Sequence, residues 1–270
     1  MPEFQHDGVR FHYADSGQGA PFVFQHGLGG DVEQPFGLFT PADGFRLLAF
    51  DCRAHGKTEP TGPEEKIRIA SFADDLGQFL DKLDLDRAVI GGISMGAAVA
   101  VNFALRYPER VQGVVLARPA WLEGPNLENA ERFLLIATLL REYGPQRGKQ
   151  EFQQTEIYRR ILDESSDVAD SCCGQFNNPL AVERAVRLEQ IPLDAPYQSL
   201  DDLRAIGART LVLANRQDPV HPFEYGQQIA KTIPGAAFQE ITSKSVDADR
   251  HRADVQRFLT AYLASASLSC

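Results

Sequence analysis

The chain is 270 residues long, 43% hydrophobic, and carries a formal net charge of −10 from 27 basic and 37 acidic side chains. That length suffices for one large core, or a core with an inserted subdomain. The acidic balance argues against nucleic acid and anionic membranes as partners, because both require a basic surface. No apolar stretch is long enough to cross a bilayer, and the N-terminus lacks a basic region followed by an apolar run, so a cytoplasmic protein is expected. Cys52, Cys172, Cys173 and Cys270 form no C-x-x-C pair. That speaks against a zinc site and for ordinary reduced thiols at Cys172 and Cys173.

Val9 to Asp15 alternates apolar and polar residues, the pattern of an antiparallel strand, and Ser16-Gly17-Gln18-Gly19 reads as a turn. Phe22 to Gln25 reads as the next strand and runs directly into His26-Gly27-Leu28-Gly29-Gly30. Arg46 to Asp51 is a buried-type strand ending in Asp51-Cys52-Arg53-Ala54-His55-Gly56-Lys57-Thr58. Ile69 to Leu83 places Ile69, Phe72, Ala73, Leu76, Phe79, Leu80 and Leu83 at helical spacing. Ala88 to Ile93 is a short apolar run with β-branched residues, a strand buried on both faces. Ala97 to Leu105 is a helix former throughout, closed by Pro108, and Val111 to Ala117 is a further strand.

Between the buried strand and its helix lies Gly92-Ile93-Ser94-Met95-Gly96, a G-x-S-x-G sequence. In that setting a serine is held on a tight strand-to-helix turn with its hydroxyl above the sheet, beside the backbone N–H groups of the helix start. The plain alternative is a glycine-rich turn that happens to contain a serine.

The alternation of strand and helix predicts a mostly parallel, twisted α/β sheet with helices on both faces. Ligands of such sheets sit at the carboxyl ends of the strands, where the loops begin at His26, Asp51, Ser94 and Arg118. From about Trp121 to Leu200 the alternation stops. Helices are expected over Leu127–Arg141, Glu151–Leu162 and Pro179–Glu189, with no strand. This segment is too long for a loop and reads as a helical cap inserted over the strand ends, or as a second helical domain beside the sheet. The expected division is a core of residues 1–120 and 201–270 with a cap of residues 121–200. The sheet resumes at Thr210–Ala214, followed by Asp218-Pro219-Val220-His221, a helix over Glu224–Lys231, a last strand over Ala237–Ile241 and a last helix over Ala248–Leu263.

Four pieces in this order carry a resemblance. They are His26-Gly27 after a strand, Asp51-x-Arg53-x-His55-Gly56-x-Thr58, the serine turn, and Asp218-Pro219-Val220 after a late strand. On them the chain resembles the α/β-hydrolase superfamily over nearly its whole length outside the cap. Its core is similar to enol-lactonases and small bacterial esterases. The sequence departs from the family pattern at Ala54 and Ala97, where relatives carry Gly, and in lacking a Gly-His pair after the last strand.

The resemblance implies a serine nucleophile, then an acid, then a histidine in chain order. Ser94 is the expected nucleophile, and Asp218 the expected acid, with a turn-forming Asp before Pro as its alternative. Of six histidines only His221 and His251 follow the acid. His251 is favoured because it follows the last strand. A solvated surface histidine is the alternative there, and His221, three residues after Asp218, is expected to cap or pack its own loop. The backbone N–H groups of Leu28 and Met95 are the expected oxyanion donors. His26, Gly27, Asp51, Arg53 and His55 are expected to hold loops. Arg118 and Trp121 are candidates for substrate binding, Arg118 by forking onto a substrate carboxylate or, alternatively, pairing with Glu123.

The implied activity is hydrolysis of a small ester or lactone through an acyl-enzyme, with no metal or organic cofactor. Carbon–carbon bond hydrolysis of a dioxo acid by the same three residues, or a non-catalytic ligand receptor on the same fold, are the alternatives. The expected partner is a small-molecule substrate, and a homo-oligomer is left open.

Overall fold

Alternation along five consecutive strands sets the layering, as the computed structural model of residues 2–266 makes explicit. Val23, Leu48, Ile90, Val114, Leu116 and Val212 face one apolar cluster, while their neighbours Phe22, Phe24, Leu47, Val89, Val115, Leu211 and Leu213 face a second. Successive side chains of a strand point to opposite faces, so a run that is apolar throughout must be covered on both sides. Cys270 lies outside the described residues.

The strands are β1 (Glu3–His6), β2 (Val9–Gly17), β3 (Gly19–Gln25), β4 (Gly44–Phe50), β5 (Ala88–Ile93), β6 (Val111–Ala117), β7 (Thr210–Ala214) and β8 (Ala237–Glu240). They form one sheet in the order β1-β2-β4-β3-β5-β6-β7-β8. β1 pairs antiparallel with β2 and β2 with β4, and every later pairing is parallel. The helices are α1 (Glu33–Leu38), α2 (Ile69–Lys82), α3 (Met95–Arg106), α4 (Leu127–Gln154), α5 (Glu156–Glu164), α6 (Ser166–Gly174), α7 (Val186–Gln190), α8 (Phe223–Thr232) and α9 (Ala248–Ala266). α2 and α3 pack in the first cluster, through Phe72, Leu76, Val99 and Phe103, and α9 in the second, through Val255, Leu259 and Leu263.

The stretch between β6 and β7 contains α4 to α7 and no strand among its described residues. Its helices differ in extent from the sequence expectation. α4 continues past Arg141 to Gln154 but is kinked where Gly144 takes φ 72° ahead of Pro145, which has no N–H to give. The helix expected over Glu151–Leu162 is divided at Thr155, whose side chain accepts from the Tyr158 N–H and starts α5. Ser165 starts α6 in the same way through the Val168 N–H. Pro179–Glu189 is mainly turns and short 3₁₀ segments ahead of α7. The described residues include no helix long and apolar enough to cross a membrane.

Candidate active site

Ser94 sits between β5 and α3 with φ 56° and ψ −111°, a sparsely populated region that costs a non-glycine residue about 1–3 kcal/mol. The turn closes this tightly because its flanks are glycines. A Cβ on Gly92 would lie 2.3 Å from the Gly96 carbonyl carbon, and one on Gly96 2.4 Å from the Gln25 carbonyl oxygen. The Ser94 N–H donates to Ala117 O at 2.9 Å, so the turn is tied to the end of β6. The N–H groups of Met95 and Leu28 find no acceptor among the described residues.

The loop carrying Leu28 is braced from beneath. His26 Nε2 accepts from the Cys52 N–H at 3.1 Å, which leaves Nδ1 to donate to Gly27 O at 2.8 Å. The Gly27 N–H donates to Gln34 Oε1 at 2.7 Å. His55 lies against Leu28 O at 2.9 Å and Arg53 O at 2.8 Å, and burial pushes its pKa well below the usual imidazole value. Asp51 gathers the Val32 and Lys57 N–H groups and His12 Nδ1 at 2.7–2.9 Å. Arg53 makes two bonds to Asp75, at 2.8 and 2.7 Å, and both side chains are essentially fully buried. Ala54 adopts φ 63°.

Asp218 follows β7 and does not meet His251. Its Oδ1 accepts from Nδ1 of His221 at 2.8 Å, and its Oδ2 accepts from Nε and Nη2 of Arg118 at 2.8 and 2.7 Å. Burial pushes the Asp218 carboxyl up, but His221 and Arg118 outweigh it and hold the pKa below the ordinary carboxylate range. Burial lowers the His221 pKa, with Asp218 opposing. His221 Nε2 is buried and has no hydrogen-bond partner.

The expected Asp218–His251 pair is therefore corrected. Nδ1 of His251 contacts Thr242 O at 2.8 Å, because the ring stands in the first turns of α9 and folds back on the strand end. His251 is not solvated either. It is 4% exposed and lines a cavity of ≈ 250 Å³ with Ile93, Ala117, Arg118, Ile241 and Val255, which shares Ile93 and Arg118 with the one at Ser94.

Ser94 and His221 line one cavity of ≈ 130 Å³, together with Gly27, Leu28, Gly29, Arg118, Lys244 and Gln175. Phe133, Asp167, Val168 and Cys172 of the helical stretch wall it on the other side. Burial raises the Cys172 thiol to about 12, so it is no nucleophile at neutral pH. Lys244 pairs with Asp167 across the rim, and Ser165 Oγ and Ser245 Oγ are 2.6 Å apart beside them.

Two further expectations are corrected. Arg118 pairs with Asp218 rather than with Glu123, and it also lines the Ser94 cavity. Trp121 is 6% exposed, donates its indole N–H to Asp194 O at 2.9 Å, and is not among the residues lining the Ser94 cavity. Gln175 and Arg187 were not singled out by sequence. Gln175 Oε1 accepts from buried Arg187 at 2.8 Å and the side chain reaches the cavity. Neither carries a motif, so only the folded chain brings them forward.

A family model described as alpha/beta hydrolase fold matches residues 20–245. The chain is 28% identical over 238 residues to a 2-hydroxy-6-oxo-6-phenylhexa-2,4-dienoate hydrolase of Burkholderia cepacia, covering 84% of this chain and 81% of that one. It is 25% identical over 244 residues to 3-oxoadipate enol-lactonase 2 of Acinetobacter baylyi, covering 88% and 87%. Among solved structures, one described as an N-acyl homoserine lactone degrading enzyme superposes with a TM-score of 0.73 at 25% identity, over 97% of this chain and 100% of the other. The enol-lactonase of Burkholderia xenovorans shares the fold at a TM-score of 0.71 and 24% identity, over 96% and 100%.

Proposed function

The chain belongs to the α/β-hydrolase family, and from that premise we propose that it is a serine hydrolase of small carboxylic esters or lactones. One observation carries the reading. Ser94, strained on its turn, shares a cavity with a histidine that is bonded to a buried carboxylate and whose second nitrogen is unclaimed.

In the proposed reaction Asp218 holds the His221 ring with Nδ1–H toward it, which leaves the Nε2 lone pair as the base. His221 takes the Ser94 proton as Oγ attacks the carbonyl carbon. The N–H groups of Leu28 and Met95 receive the developing oxyanion. His221 then returns the proton to the leaving oxygen, and a water activated by the same nitrogen releases the acid. A lactone opens by the same steps into a hydroxy acid.

Carbon–carbon bond hydrolysis is the second reading, favoured by the 28% identity to the dienoate hydrolase. Analysis of products separates the two: an acid plus an alcohol, or an acid plus a carbon acid product.

The test is labelling with a fluorophosphonate. Wild type and His251→Ala protein are expected to label, and Ser94→Ala and His221→Ala to fail. Labelling that survives His221→Ala but is lost in His251→Ala would return the base to His251. Labelling of Ser94→Ala protein would remove the serine mechanism.

A further inference from the structure

Arg118 directly follows β6 with φ 52°, in the left-handed region that a long side chain seldom occupies. Its own N–H donates to Leu213 O at 2.7 Å, so its backbone is stitched to β7. From there the side chain reaches the loop after β7, where Nε and Nη2 converge on a single oxygen, Oδ2 of Asp218. The other oxygen, Oδ1, receives the His221 ring and, more loosely, the N–H groups of Val220 and His221 at 3.3 and 3.2 Å.

The two oxygens of one carboxylate thus serve different partners. Torsion about the last bond of an aspartate is soft, so a carboxylate held at one oxygen only can swing. Resting on the function proposed above, the geometry points to Arg118 as a positioning residue. By clamping Oδ2 it fixes the plane of the Asp218 carboxylate, and through Oδ1 the orientation of the His221 ring. Arg118 then acts on the base and not on the substrate.

The charges that face His221 come from five segments of the chain. Asp218 is on its own loop and Arg118 on the end of β6. Arg132 on α4 donates to Pro219 O at 3.0 Å and pairs with Glu128. Asp167 of α6 and Lys244 after β8 face the same cavity but neutralise each other. Of the two arginines only Arg118 touches the carboxylate. Removing it takes a nearby positive charge from the ring, which then holds its proton more tightly, so activity should fail at a higher pH on the acid side.

The test uses the full chain with Arg118→Met and Arg118→Lys, assayed against p-nitrophenyl butyrate and the mono-p-nitrophenyl ester of succinate. The expected result for Arg118→Met is a loss of kcat of about 100-fold on both esters, as for a misplaced catalytic group. KM should stay within about threefold. The acid limb of kcat/KM should move to higher pH, and Arg118→Lys should recover part of the loss.

A rise in KM confined to the succinate ester would overturn the assignment and make Arg118 a substrate ligand. The rate of Ser94 labelling by a fluorophosphonate reads the same geometry without turnover. If His221→Ala abolishes labelling while Arg118→Met leaves its rate and pH dependence unchanged, the role of Arg118 falls alone. If neither variant changes labelling, the function proposed above falls with it. Should Arg118→Met not fold, the Lys variant carries the test, since one ammonium cannot make both bonds. Wild-type rate and pH dependence in Arg118→Lys would then overturn the proposal.

Discussion

His221 and Asp218 lie three residues apart on one loop, and the ring of the first meets the carboxylate of the second at 2.8 Å. The loop turns back on itself to allow this, with the His221 N–H reaching Asp218 O at 3.2 Å. Burial keeps the ring neutral to lower pH than a free imidazole. The acid limb of kcat/KM is therefore expected below the ordinary histidine value of about 6.5. A pH–rate profile on a neutral ester measures it, and a limb that moves in His251→Ala protein would count against His221.

Acid should also weaken the fold through two buried histidines. Burial lowers the pKa of His26 and His55 in the folded chain. For each, the unfolded chain takes up a proton that the native chain refuses. The stabilisation is present above the unfolded value and is lost as pH falls through it toward the folded pKa. Each group contributes up to about 1.4 kcal/mol per pH unit in that window. Urea unfolding at a series of pH values from neutral to mildly acidic should show the decline, and replacing His55 with Gln should make it shallower.

Arg53 and Asp75 are expected to behave as a unit. Removing one partner leaves a buried charge without compensation, so Asp75→Leu should cost about 3–5 kcal/mol. Removing both, as Arg53→Met with Asp75→Leu, should cost less than the sum of the single changes. Chemical unfolding of the four proteins closes the cycle.

Two glycines near Ser94 should respond differently to alanine. At Gly96 the new Cβ would press on the Gln25 carbonyl, a main-chain atom that cannot move aside. Gly96→Ala should destabilise by about 1–3 kcal/mol or more. At Gly29 the new Cβ would lie 2.3 Å from Gln175 Nε2, the far end of a side chain. Gly29→Ala should fold with stability near wild type and raise KM, since Gln175 must shift within the cavity. Thermal melts and steady-state kinetics on both proteins distinguish the cases.

The parallel half of the sheet was legible because its strands are apolar on both faces, and β5, β6 and β7 lie over the runs that sequence identifies. Ser94 was legible because its turn demands glycines at fixed offsets. β1 was missed, since Glu3-Phe4-Gln5-His6 has one apolar residue and owes its pairing to β2. α1 was missed for its six residues and internal Pro35. The partner of Asp218 was misjudged for a different reason. Chain order favoured the histidine after the last strand, but the contact is decided by how one loop folds, and spacing alone is silent on that. Arg118 and Asp218 are 100 positions apart, so their pairing depends on β6 and β7 being neighbours.

The loop after β8 supplies no ring to Asp218. It spends its polar residues on α6 instead, through Lys244 with Asp167 and Ser245 with Ser165. A clasp of ions and hydroxyls buries little oil, so salt loosens it more than warmth does. Entry of a neutral ester into the cavity, read as kcat/KM, should therefore quicken with added sodium chloride.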